Sequence, residues 1–282
     1  MGGGSYSVHN ATLRSKTYAT ASTKEIFKQR KVNNAMSPYD IEIRESRDSD
    51  EHPESLAIVL ALDVTGSMGS IPHYLIKTGL LDVMSSIIKN KIEHPQLLFM
   101  GIGDHECDQA PLQVGQFESS DELLEHWLTT LWLEGGGGGN DGESYLLAWY
   151  FAAKHTVIDC WEKRKQKGIL ITIGDEPCLS EVPKSAMKEI MGRGQHDNFS
   201  SLQLLDLART RYNVYHLHMK QGSNGMRTEV IDGWKQLMGN NLIIVERRED
   251  VARIVADIIS ANYVTRKATK TNSTAKAQDI IL

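Results

Sequence analysis

The chain has 282 residues, which suits one large domain with extensions or two small domains. Its composition of 40% hydrophobic and 24% charged residues is that of a globular protein with enough apolar material for a core. The formal net charge of −5 argues against a general attraction to nucleic acid or to an anionic membrane surface.

Residues 1–54 are rich in Ser, Thr, Ala and Lys and contain few large apolar side chains. Ser22 and Glu25 are spaced as a capping box, which predicts a short helix there. Ile41 and Ile43 alternate with charged residues, a pattern that indicates an edge strand. We expect this segment to be an extension and linker that is partly ordered at most.

Residues 55–264 alternate between apolar runs and amphipathic segments with helical spacing. This alternation predicts one α/β domain, in which a mostly parallel, doubly wound sheet carries helices on both faces. The basic, polar tail over 265–282 is expected to be disordered. The predicted strands cover 56–64, 97–103, 111–117, 169–173, 213–219 and 242–246.

Cysteine content and apolar run lengths bear on location. The three cysteines, Cys107, Cys160 and Cys178, fit no disulfide framework, which favours a reducing compartment. No run of about 18 apolar residues predicts a transmembrane helix, and the first residues lack the hydrophobic core of a signal peptide. We therefore expect a cytoplasmic protein with no membrane partner.

Polar and acidic residues follow the predicted central strands. Asp63, Thr65 and Ser67 come after the first strand, and Asp175 and Glu176 come after the fourth. In open parallel sheets, ligands bind outside the carboxyl ends of the strands, where the strand order reverses. Carboxylate and hydroxyl oxygens suit a hard divalent cation, so the sequence predicts a Mg²⁺ site, with Mn²⁺ or Ca²⁺ as alternatives.

Four stretches together indicate that about 210 residues of the chain resemble the von Willebrand factor type A family. DVTGSMG (63–69) matches its metal-ion-dependent adhesion site, Asp-x-Ser/Thr-x-Ser. Three further stretches are similar to intracellular members, including those fused to alpha-kinases: GDHECD (103–108), GGGNDGES (137–144) and ITIGDEP (171–177).

The resemblance implies a Rossmann-like six-stranded sheet of order 3-2-1-4-5-6 with a short antiparallel edge strand. It also implies that the metal ligands, direct or through water, are Asp63, Thr65, Ser67 and Asp175. A gapless match of the third loop places Asn140 at a ligand position, with Asp141 beside it as the alternative. Residues expected to brace the site or to form partner-binding loops are Asp104, His105, Glu143 and Glu176.

By the same resemblance, the function is that of an adaptor that binds a protein partner through the metal. The partner would supply a Glu or Asp to a vacant coordination position of the ion. Similarity to bacterial members points to a MoxR-type AAA+ ATPase or another component of a multi-protein system. No complete catalytic constellation is present, so we do not expect an enzyme.

Three alternatives remain open. A haloacid-dehalogenase-like phosphotransferase also has an Asp-rich loop and Mg²⁺, but it needs a second aspartate where this chain has Thr65. A scaffold in an RNA-associated complex would require a stronger basic signal than the tail provides. A zinc site would have to gather His105, Cys107, Asp108 and Cys178 from separate loops.

Overall fold

The computed structural model describes residues 4–135 and 140–278, with side chains as far as Val264. Its strands are β1 Arg44–Ser46, β2 Leu56–Asp63, β3 Pro95–Ile102, β4 Leu112–Val114, β5 Thr156–Ile158, β6 Gly168–Gly174, β7 Glu181–Val182, β8 Phe199–Ser200, β9 Tyr212–Met219 and β10 Leu242–Val245. Its α-helices are α1 Val8–Thr20, α2 Thr23–Ile26, α3 Ile71–Tyr74, α4 Leu80–Lys89, α5 Asp121–Thr130, α6 Tyr145–Lys154, α7 Asp159–Glu162, α8 Lys184–Met191, α9 Ser201–Arg209, α10 Thr228–Met238 and α11 Val251–Gln278.

The central sheet has six strands in the order β10-β9-β6-β2-β3-β4. Neighbouring strands are parallel except β3 and β4, which pair antiparallel. Counting only these six strands along the chain gives the order 3-2-1-4-5-6. The predicted α/β fold, strand order and antiparallel edge strand are therefore confirmed.

Strand β2 lies in the middle of the sheet, and all eight of its residues are buried. Side chains alternate between the two faces of a strand. Ile58, Leu60 and Leu62 join the core on the side of α4, α5 and α11, whereas Val59 and Ala61 join the core on the side of α6, α9 and α10. Burial on both faces explains why the sequence of this strand is continuously apolar.

The amino-terminal extension contains helices and packs on the domain. It is therefore more ordered than its composition led us to expect. Arg14 of α1 pairs with Asp121 and Glu125 of α5, and Ile26 and Phe27 are buried in the core beside α3. The capping box of Ser22 and Glu25 is present.

Two short strands occur where the sequence predicts something else. The edge strand expected at 41–44 begins at Arg44 instead, and it pairs in parallel with β5. We also expect a helix over 143–158 from the sequence, but α6 ends at Lys154. The β-branched run Thr156-Val157-Ile158 favours extended backbone and forms β5 instead.

At the other end of the chain, the backbone of α11 continues as a helix to Gln278, through most of the tail that we expected to be disordered. Among the described residues, none of the helices combines the length and apolar character needed to cross a membrane.

Candidate metal site at the carboxyl end of the sheet

Two adjacent central strands deliver carboxylates to the same edge of the sheet. β2 ends at Asp63, and Asp175 directly follows β6, which pairs with β2. Both aspartates are 0% exposed. Their position outside the strand ends matches the place where open α/β sheets bind ligands.

Two hydroxyl groups connect these carboxylates. Thr65 Oγ1 donates to Asp63 Oδ1 at 2.6 Å, and Ser67 Oγ donates to Asp175 Oδ1 at 2.7 Å. The two hydroxyl oxygens are 3.2 Å apart. We call this set of four side chains, Asp63, Thr65, Ser67 and Asp175, the oxygen chain. The structure thus brings together the four residues that the adhesion-site resemblance implies as ligands.

The turn after β2 holds the hydroxyls in place. The Thr65 amide donates to Asp63 Oδ1 at 2.9 Å, and the Val64 amide donates to the Ile102 carbonyl oxygen of β3 at 3.0 Å. Gly69 closes the turn with a φ of 52°, a conformation that glycine adopts without strain. The alternate residues Asp63, Thr65 and Ser67 therefore place their side-chain oxygen atoms in a row.

Two groups outside the sequence motif bind the remaining carboxylate oxygens. The Tyr145 hydroxyl donates to Asp63 Oδ2 at 3.0 Å, and the backbone N–H of Asn224 donates to Asp175 Oδ2 at 2.9 Å. Neither residue is among the site residues predicted from the sequence. Asn224 follows β9, so collecting polar residues after every strand would have reached it. For Tyr145, which begins an apolar helix, the sequence carries no signal.

The electrostatics of the site favour a cation. Burial and the charge of Asp175 raise the pKa of Asp63 to about 7, although hydrogen bonds from Thr65 and Tyr145 lower it. Burial and the charges of Asp63 and Asp108 raise the pKa of Glu143 to about 10. Buried carboxylates this close together repel one another unless a positive charge compensates them. Their oxygen atoms are the ligand type that Mg²⁺ prefers, so the residues present fit a hard divalent ion.

The third loop differs from the gapless match. Asn140 is exposed and donates to Glu106 Oε2 at 2.6 Å, and Asp141 is exposed and pairs with Arg227 at 3.1 Å. The structure brings neither into the oxygen chain, so their role as ligands stays a prediction. Glu143 is the buried carboxyl of this loop, and its side-chain Oε2 has no hydrogen-bond partner.

Backbone hydrogen bonds fix Glu143 against the segment after β6. The Glu143 amide donates to the Pro177 carbonyl at 2.9 Å, and the Leu179 amide donates to the Glu143 carbonyl at 3.1 Å. The adjacent Ser144 amide donates to the Gly103 carbonyl at 3.0 Å. These three bonds join the loops that follow β3 and β6 around the site.

The other predicted bracing residues lie in the same loops. His105 Nδ1 is 2.8 Å from Ser144 Oγ, which ties the loop after β3 to the third loop. Asp104 is buried, and its Oδ2 has no hydrogen-bond partner. Glu176 accepts a hydrogen bond from the Asn224 side chain, and burial together with the charge of Asp175 raises its pKa.

The zinc alternative finds no support in the described part of the chain. Cys107 is exposed, and the Cys178 thiol contacts the Leu179 carbonyl. Among residues 4–135 and 140–264, whose side chains the structure describes, no three His, Cys, Asp or Glu side chains form a group that could hold a metal. The oxygen chain differs from such a group because hydroxyls supply half of its side chains.

No protein-family model matches this sequence, and no curated protein matches it. Solved structures do resemble the chain. The pilus adhesin SpaC from Lactobacillus rhamnosus GG, in its open conformation, aligns over 78% of this chain at 9% identity with a TM-score of 0.51. The alignment covers 31% of the adhesin, so the chain spans about a third of its length.

Two further solved structures align less closely. A von Willebrand factor type A protein from Catenulispora acidiphila aligns over 82% of this chain and 51% of its own, at 12% identity and a TM-score of 0.44. An aerotolerance-related membrane protein from Bacteroides fragilis aligns over 73% of this chain and 100% of its own, at 15% identity and a TM-score of 0.43. Because the sequence identities are this low, the match to the adhesin shows a shared α/β fold and nothing more.

Proposed function

We propose that this chain is a divalent-metal-dependent module for protein–protein interaction. The observation that supports the proposal is the oxygen chain, in which two buried aspartates and two hydroxyls meet at adjacent strand ends. A site built from oxygen atoms and carrying excess buried negative charge is suited to a hard cation.

Mg²⁺ is the proposed ion, with Mn²⁺ or Ca²⁺ as alternatives, held by Asp63, Thr65, Ser67 and Asp175 directly or through water. When bound, the ion supplies a positive charge that a carboxylate of a protein partner can meet. Thr65 and Gly66 line an open cleft, so a partner can approach this side of the site. An adaptor role in a cytoplasmic multi-protein system, with a MoxR-type AAA+ ATPase as partner, belongs to this proposal.

The phosphotransferase alternative is weakened by the position of Thr65. Its hydroxyl donates to Asp63, and no carboxylate occupies this position to serve as a general acid or base. Turnover of small phosphomonoesters or acyl phosphates that disappears in Asp63→Asn would favour that alternative over the binding module.

Metal binding can be measured by titrating Mg²⁺ and Mn²⁺ into the metal-free chain in a calorimeter. Asp63→Ala and Asp175→Ala should abolish the binding heat, whereas Asp232→Ala, at an exposed aspartate on α10, should leave it unchanged. A pull-down from the native host, with and without Mg²⁺, then compares the wild type with Asp63→Ala. A wild-type chain that binds no divalent ion, or a partner set indifferent to both changes, would refute the proposal.

A further inference from the structure

A cleft of about 840 Å³ opens beside the oxygen chain, between the turn after β2 and the amino-terminal segment. Thr65 and Gly66 contribute to it from the turn, and Trp132 and Leu133 contribute from the loop after α5. Its volume is within the range of ordinary ligand pockets. Most of its other lining residues belong to the segment over 23–30, which we call the basic arm.

The basic arm is held in place by the fold. Ile26 and Phe27 are 5% and 6% exposed, and they pack in the same core as Met68, which belongs to the turn after β2. Thr23 Oγ1 is 2.9 Å from His73 Nδ1 of α3. The arm and the turn are therefore parts of one packed unit, and the cleft between them is preformed.

The charge of the cleft is opposite to that of the chain. Lys24, Lys28 and Arg30 line it and are exposed, and no Asp or Glu is found among its described lining residues. The chain as a whole carries a net charge of −5. Three cations at one opening of an acidic protein indicate that the cleft receives an anionic ligand.

We propose that the basic arm is the specificity surface for the partner, and that the partner segment is an acidic peptide. One carboxylate of the peptide faces the metal site, and further carboxylates pair with Lys28 and Arg30. Trp132 and Leu133 offer apolar contact to a neighbouring side chain of the peptide. This inference rests on the proposed function, because the first contact requires a bound cation.

A peptide explains the lining better than a nucleic acid does. Strands of nucleic acid bind through long tracks of basic residues that neutralise many phosphates. This cleft has three cations, and apolar surface from Trp132 and Leu133 lies among its lining. A short acidic peptide needs only a few charge-assisted contacts together with such apolar surface.

The test measures binding of a fluorescent Glu-Gly-Glu-Gly-Glu-Gly peptide to the full chain in Mg²⁺, against the same peptide with Gln for Glu. The Glu peptide should bind more tightly. Lys28→Glu combined with Arg30→Glu should weaken its binding by about tenfold or more, while Mg²⁺ affinity measured without peptide stays within about twofold. Lys184→Glu with Lys188→Glu makes the same charge change on exposed residues of α8 and should have little effect.

The outcomes separate this inference from the proposed function. If Asp63→Ala abolishes Mg²⁺ binding but the arm variant binds the Glu peptide like the wild type, the metal site stands and the acidic-peptide inference is overturned. Equal affinity for the Glu and Gln peptides, no binding of either peptide, or tighter binding of a short oligothymidylate would overturn the inference as well. The proposed function is decided separately, by the Mg²⁺ titration and the pull-down.

Discussion

Asp63 and Asp175 are buried at neighbouring strand ends, and their charges act on each other. The hydrogen bonds from Thr65, Ser67, Tyr145 and the Asn224 amide satisfy individual oxygens but bring no full positive charge. Two buried carboxylates without a cation destabilise a fold, whereas the same pair around a divalent ion stabilises it. Loss of one carboxylate charge should therefore raise the stability of the metal-free protein and lower the stability of the metal-bound protein.

Asp63→Asn keeps the shape of the side chain and removes its charge. Because the ionised carboxyl is unfavourable in the metal-free fold, we expect the melting temperature in EDTA at mildly alkaline pH to rise by roughly 2–4 °C, about 1 kcal/mol. Saturating Mg²⁺ should stabilise the wild type by mass action but not the variant. Differential scanning calorimetry with and without Mg²⁺ checks both. A variant that melts below the metal-free wild type would contradict the expectation.

Gly222 leaves room for the carboxylate of Asp175. A Cβ placed on Gly222 would lie 2.3 Å from Asp175 Cγ, so Gly222→Ala must displace that carboxylate. We expect the Mg²⁺ affinity to fall by about tenfold or more. Gly233→Ala is the matched control, because a Cβ there meets nothing within 4 Å. The control sits in α10 and should gain about 0.5–1 kcal/mol of stability. Equal Mg²⁺ affinity for the two variants would show that the close approach is unimportant.

Sequence alone could predict those site residues whose positions follow from the strands. Asp63 ends one buried strand and Asp175 follows another, so their juxtaposition follows from the strand order that the family resemblance implies. The third loop could not be assigned by counting residues. Glu143 is positioned by hydrogen bonds to Pro177 and Leu179, which are distant in sequence and which no local pattern encodes. The Asn140 and Asp141 side chains contact Glu106 and Arg227 for equally non-local reasons.

At the level of elements, the central strands are easily predicted and the amino-terminal extension is not. A strand buried on both faces needs apolar residues at every position, which gives a strong signal. The extension relies on a few anchors, such as Ile26 and Phe27, and on ion pairs from Arg14 to α5. Such sparse anchors leave its composition polar, so its docking is visible only in three dimensions.

Phe27→Ala tests whether the basic arm is part of the folded core. Removing this buried side chain should reduce the free energy of unfolding by about 3–5 kcal/mol. It should also weaken binding of the Glu peptide, because the arm loses its anchor. Leu13→Ala in α1 is the control, since Leu13 is 52% exposed and should change stability by less than about 0.5 kcal/mol. Urea denaturation measures the free energy of unfolding of the two variants. Similar values for the two variants would mean that the arm is not anchored as described.

Across the whole molecule, the two ends of the sheet differ in their electrostatics. At the carboxyl ends of the strands, Asp63, Glu143 and Asp175 are buried. At the opposite end, Asp48, which lies shortly after β1, accepts hydrogen bonds from Arg164 at 2.6 Å and from the Ser55 hydroxyl at 2.8 Å. These hydrogen bonds hold the segment before β2 against the segment before β6, and so connect the extension to the domain.

Asp48→Asn should therefore show how the Asp48 contacts contribute to stability at neutral and at low pH. Burial alone would raise the pKa of Asp48, but the hydrogen bonds from Arg164 and Ser55 outweigh it and hold the pKa well below its usual range. A depressed carboxyl pKa contributes stability that is complete above the unfolded pKa, about 4, and that is lost as the pH falls below it. We expect the variant to lose about 2 kcal/mol at neutral pH, with a smaller loss near about pH 3.

Urea denaturation at the two pH values measures this difference, and Asp206→Asn provides the control. Asp206 is exposed and lies 3.6 Å from Arg209 in a surface pair, so its loss should cost less than about 0.5 kcal/mol at either pH. An equal deficit for Asp48→Asn at both pH values would mean that the side chain acts through packing. A deficit that shrinks in acid would show that the ionised form of Asp48 makes the stabilising contact between the extension and the domain.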